Sequence, residues 1–212
     1  MYSTITGDIV NSRAVSDPAI WAEPLKKQLQ RFGTTPTEWE IYRGDSFQLA
    51  LYTEDALRAT LLIKAAIKKV EEAKLDVRLA IGVGIDGRNI SSVSESMGDS
   101  FVYSGELLDQ LKNDKVHLGI KSPWPDFDKE MNMMFKLTLV IINSWTSNSA
   151  EVAELIFSVP GITQQKIAAT IGIAQSSVND RIKRGSIYEI VELEKYYRER
   201  VSEFMNNYKR NK

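Results

Sequence analysis

Two aspartates at the ends of predicted β-strands are the residues of this sequence best placed to form a shared chemical site. Asp8 ends the strand-like segment 5–10, and Asp45 lies at the tip of a turn between the β-prone runs 39–42 and 47–51. Gly44 supplies the backbone freedom that a tight hairpin turn needs. Two strands that end in carboxylates indicate one shared site. The alternative is that each Asp only stabilises its own turn by bonding nearby backbone groups.

A second set of polar residues follows a helical pattern in residues 163–184. Thr163 caps a first helix, Gly172 makes a turn, and a second helix is buried through Val178 and Ile182. This spacing resembles the helix-turn-helix units of bacterial DNA-binding regulators. Amide and hydroxyl groups can read base edges, and cations contact phosphates. The predicted DNA-binding residues are Gln175, Ser176, Ser177, Asn179, Lys183 and Arg184.

The charge of this region gives a mixed signal about DNA. Residues 163–212 contain ten Lys or Arg against six Asp or Glu, which favours an anionic partner. Asp180 lies on the predicted reading helix, however, and its carboxylate repels phosphate unless it is turned away. The alternative is a helical pair that serves only packing or protein contacts.

The elements that must position Asp8 and Asp45 alternate between strand and helix. A helix that begins at residues 17–18 has apolar residues at a spacing of four, and the hairpin, a helix over 53–74 and a buried strand over 77–85 follow. Arg78 departs from the apolar pattern of that strand. A helix over 101–112 and an edge strand over 116–120 complete the series. This order predicts an α+β fold of ferredoxin-like βαββαβ type.

The composition changes after this series, which predicts a second, helical domain. Two prolines punctuate residues 122–128 and predict a linker between a domain at 1–121 and a helical domain at 129–212. The last predicted helix, 186–209, carries an apolar stripe. Such a stripe either packs within its own chain or pairs two chains as a homodimer through this C-terminal helix.

The overall composition is that of an ordinary globular protein. The 212 residues are 43% hydrophobic and 26% charged, and they include no cysteine, which excludes disulfides and thiolate chemistry. No secretory signal pattern and no apolar run of membrane-spanning length is visible. We expect a cytoplasmic protein that does not bind a membrane. His117, the only histidine, is expected to be structural.

Several short motifs, taken in order, resemble known families. The order of elements, with an Asp on the first strand and Gly-Asp at the hairpin, resembles the palm of class III nucleotidyl cyclases and diguanylate cyclases. More closely, residues 5–13, 42–47, 78–84 and 98–101, with Ser104, Gly105 and Leu108, resemble the SatD family of small bacterial proteins. The resemblance covers residues 2–112.

The cyclase resemblance implies a metal and nucleotide site. Mg²⁺ prefers oxygen ligands, and the resemblance places Asp8, Asp45 and the carbonyl of Ile9 around it, with a nucleotide as its partner. The candidate ligand contacts beside them are Arg43, Gly44, Ser46 and Arg78.

The same resemblance argues against catalysis. The positions that carry a transition-state Asn and Arg in cyclases fall on Val102 and Glu106, and the base-selecting Lys falls on Ile41. Phosphoryl transfer needs positive groups that neutralise developing charge, and these residues supply none.

We therefore expect a DNA-binding transcriptional regulator whose degenerate palm binds a nucleotide or other small ligand. A magnesium-dependent nucleotidyl cyclase or nucleotide-processing enzyme is the alternative. A scaffold that binds only protein is the third interpretation.

Overall fold

Five strands and eight helices make up the part of the chain that the structure, a computed structural model, describes. That part is residues 1–42, 44–85, 93 and 98–210, apart from the side chains of Ala73 and Lys209. The strands are β1 (Tyr2–Val10), β2 (Trp39–Tyr42), β3 (Ser46–Tyr52), β4 (Asp76–Gly84) and β5 (Leu118–Lys121). The helices are α1 (Ala19–Leu29), α2 (Ala56–Lys68), α3 (Asp99–Asp114), α4 (Pro125–Ile142), α5 (Ser147–Ser158), α6 (Gln164–Ile171), α7 (Gln175–Gly185) and α8 (Ile187–Arg210).

The strands form one sheet in the order β2-β3-β1-β4-β5. The central strand β1 is antiparallel to both β3 and β4, whereas β5 runs parallel to β4 at the edge. Ile5 lies opposite Leu49 on one side and Ile81 on the other, and all three are buried. Because side chains alternate along a strand, this register gives the sheet one continuous apolar face.

The other face of the central strands carries hydroxyl groups and glycine, and α3 packs on it. Thr4 and Ser100 are hydrogen bonded at 2.9 Å, and Thr6 and Ser104 at 2.8 Å. A Cβ on Gly82 would lie 2.6 Å from the amide nitrogen of Ser104, closer than such atoms approach. The helix can therefore lie this near the sheet only because residue 82 has no side chain.

The C-terminal helices pack onto the sheet and α2, and they share one core with them. The buried cluster runs from Ile5 on β1 to Met205 on α8. Phe127 of α4 contacts Tyr197 of α8 with ring centroids 6.1 Å apart, and the Tyr197 hydroxyl donates to the carbonyl oxygen of Thr53 at 2.9 Å. Burial of large aromatic side chains makes this junction a major source of stability.

The predicted linker at 122–128 contains the first turn of α4. The Ser122 hydroxyl and backbone N–H both donate to Asp128, at 2.6 and 2.9 Å, and thereby fix the start of this helix. Burial raises the pKa of the Asp128 carboxyl, although the hydrogen bonds from Ser122 oppose the shift. Residues 122–128 are thus an ordered corner between β5 and α4, and the domain boundaries stay a prediction.

The predicted α+β class is confirmed, and most predicted elements are found with shifted ends. The hairpin is β2–β3, and the Asp17 side chain accepts from the Ala19 N–H at 2.9 Å at the start of α1. The apolar stripe of the last helix packs within the chain, through Ile187, Ile190, Tyr197, Val201 and Met205. Those side chains are therefore not available to a second chain. No helix in the described residues has the length and hydropathy needed to cross a membrane.

Candidate functional site

The structure brings the two predicted aspartates to the same end of the sheet. Asp8 on β1 lies directly opposite Ser46, the first residue of β3, and Asp45 precedes that residue in the β2–β3 turn. The Ile9 N–H donates to the Asp45 carbonyl oxygen at 3.1 Å. The antiparallel register of β1 and β3 therefore places both acidic residues at one end.

Two cations neutralise the carboxylate of Asp8. Arg78 lies directly opposite it on β4, and its Nη1 donates to Oδ1 at 2.8 Å and to Oδ2 at 3.0 Å. Lys112 Nζ, from the last turn of α3, lies 3.3 Å from Oδ2. The side chains of Asp8 and Arg78 are only 13% and 14% exposed, so solvent screens this pair less than a surface ion pair. The charge of Asp8 is satisfied within the chain.

Asp45 connects the hairpin turn, through a side-chain hydrogen bond, to the segment that follows β1. Its Oδ2 accepts a short hydrogen bond from the hydroxyl of Ser12, which begins a single 3₁₀ turn. A carboxylate that bonds a nearby hydroxyl and orders a turn has the structural role that Asp commonly fills.

In the arrangement that the structure shows, the carboxylates of Asp8 and Asp45 do not form a binding site for a divalent cation. Mg²⁺ needs several oxygen ligands, and Arg78 and Lys112 compete for those of Asp8. Within the described ranges, no three His, Cys, Asp or Glu side chains are grouped so that they could hold a metal ion. Ile9, whose carbonyl was the third predicted ligand, lies in β1 opposite Val77 of β4. Magnesium and nucleotide binding stay predictions that rest on the resemblance.

The predicted ligand-contact residues that the structure describes have separate structural roles. Arg43 lies outside the described residues. Gly44 is exposed in the turn with a φ of 85°, a conformation that favours glycine. Ser46 is half-buried and pairs with Tyr42 across the hairpin, while Arg78 is committed to Asp8.

The three positions that cyclases use for catalysis do not face a common site. Val102 is 53% exposed on α3, and Glu106, on the same helix, pairs with Lys121 of β5 at 2.6 Å. Ile41 lies opposite Phe47 and packs against the apolar core. Their side chains therefore offer no group that stabilises a phosphate.

The predicted DNA-binding segment is a pair of helices, α6 and α7, joined by a three-residue turn. Thr163 caps α6 by accepting the Lys166 N–H at 3.3 Å, and Gly172 ends it with a φ of 70°. Val178 and Ile182 of α7 are buried, at 0% and 2% exposure. Short apolar patterns and a glycine thus fold the segment as the sequence predicts, with one face of α7 in the core.

Contacts with α5 fix the orientation of α7. Trp145, just before α5, donates its indole N–H to the Gly185 carbonyl oxygen at 2.8 Å. Arg181 pairs with Glu151 of α5 at 2.8 Å, so this cation is held within the chain.

The opposite face of α7 is exposed and polar. Of the predicted DNA contacts, five are exposed and Asn179 is half-buried; the exposed five are Gln175, Ser176, Ser177, Lys183 and Arg184. Among the described residues these five make no side-chain hydrogen bond or ion pair. Asp180 is exposed on the same face. The structure therefore presents the predicted set together, with one acidic residue among it.

A second buried polar cluster, around Lys64 and Asp76, was not predicted from the sequence. Lys64 of α2 is 1% exposed, and its Nζ contacts Asp76 at 2.6 Å and the side-chain oxygen of Asn143 at 2.8 Å. Lys68 Nζ and His117 Nδ1 contact the other oxygen of Asp76, at 3.4 and 3.2 Å. This cluster ties α2, β4, the start of β5 and the end of α4 together. In the sequence, Lys64 stands as a single charge on the buried face of a helix.

Burial and charge act in opposite directions within this cluster. Desolvation lowers the pKa of Lys64 to about 8, although the charge of Asp76 opposes that shift. Burial alone raises the pKa of Asp76, but hydrogen bonding to His117 and the charges of Lys64 and Lys68 hold it below its usual range. The interaction of His117 with Asp76 gives the histidine a structural contact.

Comparison with known proteins identifies the family. The family model described as the SatD family matches residues 2–202, which is nearly the whole chain. The protein therefore belongs to the SatD family, and the relationship extends well beyond the N-terminal motifs. Comparison with curated proteins and with solved structures gave no match.

Proposed function

We propose that this SatD-family protein is a DNA-binding regulator in which a ferredoxin-like, cyclase-type palm supports a helix-turn-helix unit. The exposed face of α7 carries this proposal. Five polar or basic side chains there have no partner among the described residues, while the apolar face of the same helix is fully packed.

The geometry of α7 supports a reading helix. At about 100° per residue, the buried residues Val178, Ile182 and Gly185 fall on one side of the helix, and four of the exposed residues fall on the other, namely Ser176, Ser177, Lys183 and Arg184. Gln175 is exposed as the first residue of the helix. In helix-turn-helix units, the N-terminal residues of the second helix contact base edges in the major groove. Gln175, Ser176 and Ser177 occupy that end and offer amide and hydroxyl groups.

The cations at the other end of α7 suit phosphate contacts. Lys183 and Arg184 are exposed in its last turn, and Lys166 is exposed on α6. Three cations neutralise few phosphates, so we expect weak binding with a shallow dependence on salt concentration. A protein of this kind needs additional contacts or a second DNA-binding unit for tight binding.

The sheet supports a ferredoxin-like palm without catalysis. The order β4-β1-β3-β2, with α1 and α2 as the connecting helices, corresponds to a βαββαβ unit to which β5 is added. Asp8 is neutralised by Arg78 and Lys112, and the exposed Val102 replaces a phosphate-stabilising group. We propose that the palm acts as a scaffold or ligand-binding part and not as an enzyme.

Titration of α7 variants with duplex DNA tests the proposal. Replacing Lys183 and Arg184 by Ala should weaken binding about tenfold or more, and should reduce the slope of log K against log salt by about 2. Asp180→Asn should strengthen binding because it removes a repulsive charge. The matched control is Lys129→Ala with Lys136→Ala, two exposed cations on α4. Equal affinity in all four proteins, measured by fluorescence anisotropy, would contradict the proposal.

The competing function is a magnesium-dependent nucleotidyl cyclase. Incubation of the protein with ATP or GTP and Mg²⁺, followed by chromatography of the products, tests it directly. A cyclic or linked nucleotide that forms with the native protein and is lost on Asp8→Ala would establish the enzyme and overturn the non-catalytic palm.

A further inference from the structure

A cavity of about 400 Å³ lies between α2, the C-terminal end of α5 and α8. Its apolar wall consists of side chains from α5, the following turn and α8, namely Ile156, Phe157, Pro160 and Val191. The polar residues that line it are Arg58, Glu194, Lys195 and Arg198. Ligand sites in proteins commonly have this volume, an apolar wall and a few polar groups, and they occur where two parts of a protein meet.

Arg58 has unused hydrogen-bonding capacity at the two terminal amino groups of its side chain. Its Nε donates to the carbonyl oxygen of Phe157 at 3.1 Å, at the end of α5. Its Nη1 approaches Asp55 only to 3.8 Å, which is beyond hydrogen-bonding distance. Among the described residues, its terminal amino groups therefore make no hydrogen bond. The Arg58 side chain is 27% exposed, so it is accessible but partly shielded from water.

The neighbouring charges of the cavity are already paired. Arg198 donates to Asp55 at 2.9 Å and to Glu194 at 2.6 Å. Lys195 pairs with Glu192 at 2.9 Å on the surface. The carboxylates of Asp55 and Glu194 disfavour a second negative charge on a ligand, so the cavity suits a single anion at Arg58.

We propose that this cavity binds a small amphipathic monocarboxylate, with its carboxylate on Arg58 and its apolar body against Ile156, Phe157 and Val191. The planar guanidinium offers two N–H groups in the geometry that a carboxylate accepts. Burial of the ligand's apolar body in the cavity removes hydrocarbon surface from water, and this removal drives binding.

The position of the cavity connects it to the helices that carry the proposed DNA contacts. Pro160 and Gly161 line it and lie three and two residues before Thr163, the cap of α6. Phe157 belongs to α5, on which α7 packs. A ligand that fills the cavity is expected to change the affinity of α7 for DNA; this last step rests on the proposed function, whereas the ligand site does not.

Isothermal titration calorimetry with decanoate as the probe tests the site without DNA. The native protein should bind one equivalent of decanoate saturably, and decanol and decylamine should bind at least tenfold more weakly. Arg58→Gln should weaken decanoate binding about tenfold or more. Val191→Phe, which fills the cavity and leaves Arg58 intact, should abolish it. Arg13→Gln, which removes an exposed arginine elsewhere, should leave it unchanged.

The outcomes separate the two proposals. Absence of saturable decanoate binding, or equal binding by the native protein and the correctly folded Val191→Phe variant, would overturn the ligand site. Equal affinity for decanoate and decanol would overturn the role of Arg58. Decanoate binding by a protein that does not bind DNA would leave the site standing and remove only its link to α7.

Discussion

The sheet end around Asp8 and the exposed face of α7 use similar polar residues in opposite ways. At the sheet end, Arg78 and Lys112 contact Asp8, and Ser12 contacts Asp45. On α7, Lys183 and Arg184 contact no acidic side chain within the described part of the chain. The first region satisfies its charges internally, and the second leaves them to solvent or to a partner.

The two regions differ in whether their charged side chains remain available to a partner. Aspartate at a strand end signals a site only if its charge remains available in the fold. Here ion pairs and a turn contact account for Asp8 and Asp45, whereas the five exposed side chains of α7 make no hydrogen bond or ion pair with any residue that the structure describes. The polar side chains that remain available to a partner therefore lie on α7 and not around Asp8.

The largest effect on stability is expected at Asp76, a buried acid that is paired within the chain. Asp76→Asn leaves the buried ammonium of Lys64 without the opposite charge that it contacts at 2.6 Å, and should lower the free energy of unfolding by about 3–5 kcal/mol. Lys64→Met should cost less, because Asp76 keeps Lys68 and His117. Urea denaturation of the three proteins measures both changes. An equal or reversed order would show that the Lys64–Asp76 contact is not the centre of the cluster.

The pH dependence of unfolding gives an independent test of the same cluster. The folded-state pKa of Asp76 lies below its unfolded value, so its stabilising contribution is present above pH ~4 and is lost as pH falls further. The native protein should therefore lose stability between pH ~4 and pH ~2. The Asp76→Asn variant should show a shallower slope in that range, and an identical slope would contradict the shift.

A smaller loss of stability is expected at Asp8, where a substitution tests whether the carboxylate serves the fold. Asp8→Asn leaves Arg78 and Lys112 close together without a carboxylate, and should cost about 1–3 kcal/mol in urea denaturation. Asp109→Asn is the matched control, because that 80% exposed acid also lies near Lys112, at 4.0 Å, and should cost less than about 0.5 kcal/mol.

The effect of Mg²⁺ on the melting temperature tests the opposite interpretation, in which Asp8 binds a metal ion. If the carboxylate serves a metal, 10 mM Mg²⁺ should raise the melting temperature of the native protein and not that of Asp8→Asn. We expect no such difference, because the two cations already occupy the carboxylate oxygens.

The sequence predicted the elements of the sheet well because their signals are local. The alternation around Gly44 and the apolar run at 77–85 lie within single elements, and both appear as β2–β3 and β4. The helical domain was predicted to begin at residue 129, whereas α4 begins at Pro125, because proline is compatible with the first turn of a helix and does not only mark a boundary.

The site was harder to predict because its contacts are remote in sequence. Arg78 was noticed as an exception in an apolar strand, but its partner follows from the register of β1 and β4, which no short motif encodes. Lys112 reaches Asp8 only because α3 packs closely on Gly82. By contrast, the exposure of α7 follows from helical periodicity in its own sequence.

The smallest effect on stability is expected on α7, and it separates the two regions most clearly. Gln175→Ala combined with Ser177→Ala removes two exposed groups that make no side-chain hydrogen bond in the described part of the chain, so the free energy of unfolding should change by less than about 0.5 kcal/mol. If these groups read bases, the same variant should lose discrimination among DNA sequences while its affinity for random DNA changes little, because Lys183 and Arg184 remain. Anisotropy with a selected and a scrambled duplex measures this ratio. A large loss of stability would place these residues with Asp8, as internal contacts of the fold.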